Sequence, residues 1–103
     1  MKTFSIYLIT SKVILGTLCE YGLGMSLDAQ QAGAWYNSAL RDDHPDREGH
    51  MLAAGANLGM GRILFSEKQK DETKNHLSKA KAGGNESICR EAEWLLYATV
   101  SIL

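Results

Sequence analysis

The segment from Leu15 to Leu40 constrains the fold of this chain more than any other stretch. It reads LGTLCEYGLGMSLDAQQAGAWYNSAL, in which Gly22 and Gly24 follow an apolar run. Glycine adopts a positive φ without strain, so this pair predicts the end of one helix and a tight reversal. Asp28 can then accept a hydrogen bond from the free N–H groups of a second helix, and Gln31 completes an Asp-x-x-Gln capping box. The segment therefore predicts an antiparallel helical hairpin.

Side-chain spacing predicts how these two helices pack. In the second helix, Ala32, Trp35 and Ala39 recur at helical spacing, which places one large indole between two small residues on a single face. The first helix carries a matching stripe, and Gly16 beside it allows a neighbouring backbone to approach closely. The predicted stripe consists of Leu8, Ser11, Leu15 and Leu18.

The same residues resemble a known repeat. The segment is similar to the SEL-one-like repeat, a relative of the tetratricopeptide repeat, and departs from its usual pattern only at residues that would not break a hairpin. The resemblance implies an α–α superhelix and a role as an adaptor or scaffold in protein complexes, often in bacteria. The residues that match the repeat pattern are predicted to have structural roles: Leu15, Gly16, Gly22, Gly24, Asp28, Ala32, Trp35, Tyr36 and Ala39. The residues that depart from the pattern are Cys19, Met25, Ser38 and Leu40.

A second, less regular copy follows at an offset of 43 residues. Self-similarity at a fixed period is typical of stacked repeats, so we predict a second hairpin here. Phe65 and Glu67 occupy the places of the turn glycines, and His76 to Ala80 matches the end of the repeat only with a gap of two. The repeated structural positions are Ala54, Leu58, Gly59 and Asp71, which correspond to Ser11, Leu15, Gly16 and Asp28.

These patterns predict an all-α fold in one domain spanning residues 1–103. We expect a short α–α superhelix of about two helical hairpins, closed by a C-terminal capping helix that Asn85 begins after the stop at Gly83 and Gly84. The segment RDDHPDRE is read as a solvated acidic loop. The predicted divisions are repeat 1 at about 5–40, the acidic loop at 41–48, repeat 2 at about 49–83 and the capping helix at 85–103.

Composition argues against nucleic-acid and membrane partners. Eleven Lys and Arg against twelve Asp and Glu give a formal net charge of -1, and the lysines between 68 and 81 are interspersed with acidic residues rather than clustered. No stretch approaches the ~20 apolar residues that a bilayer requires. The N-terminal TFSIYLIT is interrupted by Ser11 and Lys12 and lacks a small-x-small cleavage site. We therefore expect a cytoplasmic protein, with secretion as the alternative.

No pattern of catalytic residues stands out, so we expect a non-enzyme without a cofactor. No nucleophile lies beside a base in the sequence, and Gly22-Leu23-Gly24 follows a helix, whereas a dinucleotide-binding loop follows a strand. His44 and His50 have carboxylates nearby, but their spacing matches no standard ligand set, and a solvated turn without metal is predicted. Cys19 and Cys89 share no metal or redox spacing and are read as reduced. His76 is read as a half-buried packing residue.

Protein binding remains the favoured function, because both ends of the chain are more apolar than one buried helical stripe requires. We expect another protein or peptide as partner, or a second copy that forms a homodimer through these ends; the alternative is that each end folds back onto the core. A second hypothesis is a small inhibitor or immunity-type protein that blocks a partner's active surface with the acidic loop. The candidate partner-binding residues are Ile6, Tyr7, Ile9, Asp42, Asp43, Trp94, Tyr97 and Ile102.

Overall fold

The described part of the chain consists of helices joined by short turns and loops. A computed structural model describes residues 2–42 and 47–103, and it describes side chains in 7–42 and 53–103. Within these ranges there are five helices and no strand, which confirms the predicted all-α class. The helices are α1 (Lys2–Tyr21), α2 (Ala29–Arg41), α3 (Arg47–Ser66), α4 (Lys70–Gly83) and α5 (Glu86–Ile102).

The turn between α1 and α2 follows the prediction from its glycines and its cap. Gly22 and Gly24 have φ values of 68° and 75°, in the left-handed region that favours glycine. The Asp28 carboxylate accepts a hydrogen bond from the Gln31 N–H at 3.1 Å. The reciprocal arm of the capping box is replaced, because the Asp28 N–H donates to the Cys19 carbonyl at 2.9 Å. The loop is thereby joined directly to the last turn of α1.

The other boundaries depart from expectation in two places. Helix α2 includes Arg41 and α3 begins at Arg47, so both ends of the predicted loop 41–48 are helical. The reversal between α3 and α4 uses Lys68, a non-glycine residue with a φ of 61°, in place of the glycine pair. Asn85 caps α5 as predicted, because its side chain accepts from the Ile88 N–H at 3.0 Å.

Helix α3 is the centre of the packing. It contacts α1 and α2 on one side and α4 and α5 on the other, while α1 also packs on α2 and α4 on α5. Among the described residues the first two helices make no packing contact with the last two. Two apolar clusters result, one on each side of α3.

The first cluster is organised around Tyr36. Its ring lies between α1 and α3 at two glycines: a methyl group added at Gly16 would lie 2.6 Å from one edge of the ring, and one added at Gly59 would overlap the other edge. Tyr36 is fully buried, whereas Trp35 is only partly buried at the margin. Ala32 and Ala39 are buried and Trp35 packs against this cluster, in agreement with the predicted face, but the Tyr36 phenol rather than the indole fills the space that the glycines leave.

The predicted inward stripe of α1 is also displaced. Between residues 7 and 21 of α1, the buried residues are Ile9, Gly16 and Cys19, whereas Ser11 is exposed and Leu15 only partly buried. The buried face contains Gly16, which accommodates Tyr36, and each of its residues lies one position after a leucine of the predicted stripe. The second cluster, on the other side of α3, is smaller and aliphatic; it consists of Leu58, Leu77, Ala80, Ala92 and Leu95.

Candidate functional site

A polar network joins four of the five helices across the molecule. The Arg62 guanidinium on α3 donates from Nε to Glu20 Oε2 at 2.7 Å and from Nη2 to Glu20 Oε1 at 2.9 Å, which forms a two-pronged pair with α1. From α2, the Tyr36 hydroxyl donates to Glu20 Oε1 at 2.6 Å. On the other side, Arg62 Nη1 donates to Glu91 Oε2 on α5 at 2.6 Å. Arg62 is therefore bonded to the helices on both sides of α3.

Burial makes this network a fixed cross-link. The side chains of Glu20 and Arg62 are only 11 % and 21 % exposed. Burial, followed by the hydrogen bond to Glu20, raises the pKa of Tyr36 to about 12. Burial by itself would lower the pKa of Arg62, but the hydrogen bonds to Glu20 and Glu91 outweigh it and raise that pKa above its ordinary value. At neutral pH the Tyr36 phenol is therefore neutral and the Arg62 guanidinium is charged. The guanidinium donates three hydrogen bonds to carboxylate oxygens.

The network lies on the side of α3 that is left partly exposed between α1 and α5, which we call the groove. Between residues 53 and 66, α3 is buried except at Gly55, Arg62 and Phe65, which are partly exposed, and at Ser66 at its end. These positions fall on one line of the helix. Helices α1 and α5 both contact α3 without contacting each other among the described residues, so they form the two sides of the groove.

Sequence reasoning missed this network, although a signal for it exists. Glu20 and Arg62 are each the single charge within an apolar run, LGTLCEY and LGMGRILF. A buried charge requires a partner, so two lone charges of opposite sign in separate apolar runs indicate a pair. Their pairing across 42 positions could be located only with the tertiary packing.

A second polar contact links α3 to α4. His76 Nδ1 lies 2.9 Å from the side-chain oxygen of Asn57, which is buried. Burial, and then the charge of Lys79, lower the pKa of His76, while Glu72 opposes them. The imidazole is consequently neutral at pH 7, and its half-buried position agrees with the predicted packing role.

The predicted partner-binding residues separate into accessible and inaccessible groups. Tyr7, Trp94, Tyr97 and Ile102 are all at least two-thirds exposed. Ile9 is 1 % exposed and belongs to the first cluster, because it lies on the α2-facing side of α1; we remove it from the candidates. Asp42 forms an ion pair with Lys12 and is partly buried. The Ile6 side chain and Asp43 lie outside the described residues, as do the side chains of His44 and His50.

Exposed apolar side chains form two surfaces, which include every large hydrophobic residue that is exposed in the side-chain ranges 7–42 and 53–103. The α1 surface consists of Tyr7, Ile14 and Tyr21 on α1 and Leu23, Met25 and Leu27 in the following loop. The α5 surface consists of Trp94, Tyr97, Val100 and Ile102. Sequence reasoning found both ends but missed most of the α1 surface, because the displaced stripe assigned the wrong face to the interior.

The remaining features give no further site. Cys19 and Cys89 are free thiols, the first buried and the second partly buried. None of the helices, within the residues described, combines the length and apolar character needed to cross a bilayer. Comparison with protein-family models, with curated proteins and with solved structures returns no match.

Proposed function

We propose that this chain is a non-catalytic protein–protein interaction module built from two SEL-one-like helical hairpins, α1–α2 and α3–α4, with α5 as a capping helix. The order of packing is the observation that carries the proposal. Both helices of the first hairpin pack on α3, and both helices of the second pack on α5. Contact restricted to the next unit along the chain is the property that defines stacked repeats.

The groove between α1 and α5 is the proposed binding surface. In stacked hairpins the first helices of successive units share one side of the array, and here these are α1, α3 and α5. Arg62 spans the groove, and Glu91 stands at its rim with 43 % of its side chain exposed. Glu91 Oε2 accepts from Arg62, and no described residue donates a hydrogen bond to Oε1, which can accept one from a bound peptide.

The decisive test compares two charge reversals on α5. Glu91→Arg would place a second cation beside Arg62 inside the groove, whereas Glu93→Arg makes the same charge change at a 59 % exposed position next to Lys81. With a partner isolated from the native host, Glu91→Arg should weaken binding at least tenfold, a loss of about 1.4 kcal/mol, while Glu93→Arg retains it. Circular dichroism of both variants would verify that the fold is intact.

Other outcomes of this experiment would redirect the proposal. Equal binding by wild type and Glu91→Arg would exclude the groove as the contact surface. Loss of binding in Asp42→Ala with retention in Glu91→Arg would favour the inhibitor hypothesis, in which the segment after α2 docks on a partner. Loss in Trp94→Glu alone would place the contact at the α5 surface.

A further inference from the structure

The outward face of α1 carries an apolar seam with a seven-residue period. Tyr7, Ile14 and Tyr21 are 67 %, 53 % and 50 % exposed. Ser11, which is exposed, and Leu18, which is partly exposed, lie between them, so the gaps alternate four and three. This mean spacing of 3.5 keeps a seam facing a neighbouring helix along its whole length. Helices α2 and α3 pack on the opposite side of α1. At one end of the seam the Arg62 guanidinium of α3 lies over the Tyr21 ring, 5.5 Å from its centroid, and half of that side chain remains exposed.

The seam is electrically neutral. Between Tyr7 and Tyr21 the only formally charged residues are Lys12 and Glu20. Each is paired inside the chain, with Asp42 and Arg62 respectively. A neutral face offers no ion pair to a charged partner, but two copies of it can meet without like-charge repulsion.

We infer that the occupant of this seam is a second copy of the chain, packed as an antiparallel α1–α1 pair with the two-fold axis at Ile14. A two-fold interface needs a surface that is complementary to itself. Tyr7 and Tyr21 each lie seven residues from Ile14, about 10 Å along the helix, so the axis places Tyr7 of one copy opposite Tyr21 of the other. The two isoleucines meet at the centre.

The exposed area is sufficient for such a dimer. The six residues of the α1 surface expose on the order of 600 Å², judged from their exposed fractions and the usual size of such side chains. Stable interfaces start at roughly 600 Å² per partner, and Ser11, Leu18 and the flanks of the helix add to this total.

The α5 surface fits a symmetric pair less well. Trp94, Tyr97 and Val100 are three residues apart, so their line turns around the helix instead of following a seam. Glu91 precedes this surface and Glu93 lies beside it. They are paired with Arg62 and Lys81 but remain 43 % and 59 % exposed, against 20 % and 11 % for Lys12 and Glu20 on α1. A two-fold axis there would bring acidic groups of the two copies towards each other.

Sedimentation velocity of the full chain at increasing concentration provides the test. Wild type should sediment as a concentration-dependent dimer. Ile14→Glu and Ile14→Lys should each raise the dimer dissociation constant by about 100-fold or more, because two like charges then meet at the axis. An equimolar mixture of these two variants should regain the dimer, since position 14 faces itself. Tyr97→Glu makes a change from an exposed apolar to an acidic residue on α5, at a position that is 75 % exposed against 53 % for Ile14, and should leave the dimer unchanged.

Cross-linking then tests the orientation. In a Cys89→Ser background, Tyr7→Cys mixed with Tyr21→Cys should form an intermolecular disulfide, whereas Tyr7→Cys alone should not. A monomer at every concentration would overturn the inference, as would dissociation by Tyr97→Glu but not by Ile14→Glu, or efficient self-cross-linking of Tyr7→Cys. The seam meets the groove at Tyr21, whose ring centroid lies 5.5 Å from the Arg62 guanidinium carbon. Position 14 is about two helical turns away from Tyr21, so the Ile14 variants and Glu91→Arg test different contacts.

Discussion

The two sides of α3 are packed by different means. On the α1–α2 side, a single aromatic ring is held between two glycines, and its hydroxyl is bonded to a buried ion pair. On the α4–α5 side, Leu77 fills the corresponding space against Gly61, within a cluster of aliphatic side chains. The first arrangement has one shape and one hydrogen-bonding geometry that fit, whereas the second can adjust by rotating an aliphatic side chain. The first hairpin should therefore be the less tolerant of change.

The largest expected effect is at Gly59. Gly59→Ala would place a methyl group against the Tyr36 ring, which cannot move away because Gly16 and α1 contact its other edge. We expect a loss of about 3 kcal/mol in the free energy of unfolding, measured by urea denaturation. Gly61→Ala is the matched control in the second cluster, where Leu77 can change rotamer, and should cost about half as much. Equal losses would show that the two sides are equally rigid.

The next effect concerns the ion pairs on the two sides. Arg62→Met would leave the Glu20 carboxylate partly buried beside the Tyr36 hydroxyl without its cation, and should cost about 2–3 kcal/mol. In the second hairpin, Lys81→Met removes only an exposed contact to Glu93 at 3.6 Å and should cost less than about 0.5 kcal/mol. Adding Glu20→Gln to Arg62→Met should restore part of the loss, because no unpaired charge then remains. Strict additivity would contradict this account.

A smaller effect appears only in alkaline solution. The pKa of Tyr36 is raised from 10.0 to about 12 in the folded state, so the folded chain holds a proton that the unfolded chain has released between these values. Stability from this group is therefore complete below pH 10 and is lost as the pH rises towards 12, by up to about 2 kcal/mol. Tyr36→Phe should remove this component, and unfolding curves from pH 9 to 12 would measure the difference. An unchanged slope would assign the alkaline loss to other groups.

The two sides of α3 also differ from the local turns in how well the sequence predicts them. Helix ends depend on nearby residues, and the Gly22–Gly24 turn and the caps at Asp28 and Asn85 were predicted correctly. The buried face of α1 was not, because α1 is apolar on its outward side as well, and periodicity then selects no unique face. The glycines were better guides than the leucines: Gly16 and Gly59 mark the position of Tyr36.

The groove depends on longer-range information. The Glu20–Arg62–Glu91 connection spans three helices, and no local pattern specifies which acid meets which base. Candidate partner-binding residues at the two ends could be named because the large apolar side chains there exceed what one buried stripe can use, and four of these candidates are exposed. The repeat assignment itself still rests on the spacing of residues 15–39 together with the order of helix packing.

The smallest expected effect tests the polar contact on the second side of α3. The pKa of His76 is lowered from 6.5 in the folded state, chiefly by burial, so the unfolded chain takes up a proton before the folded chain does. Stability should then be constant above pH 6.5 and fall below it, by less than about 1 kcal/mol because the side chain is only half-buried. His76→Gln can still donate to Asn57 but does not titrate, so it should flatten the acid limb of a stability profile from pH 5 to 7 without much loss at neutral pH. His76→Gln should leave the alkaline loss of stability due to Tyr36 unchanged, because the two groups lie on opposite sides of α3. If His76→Gln also altered the alkaline loss, the two sides would be coupled through α3.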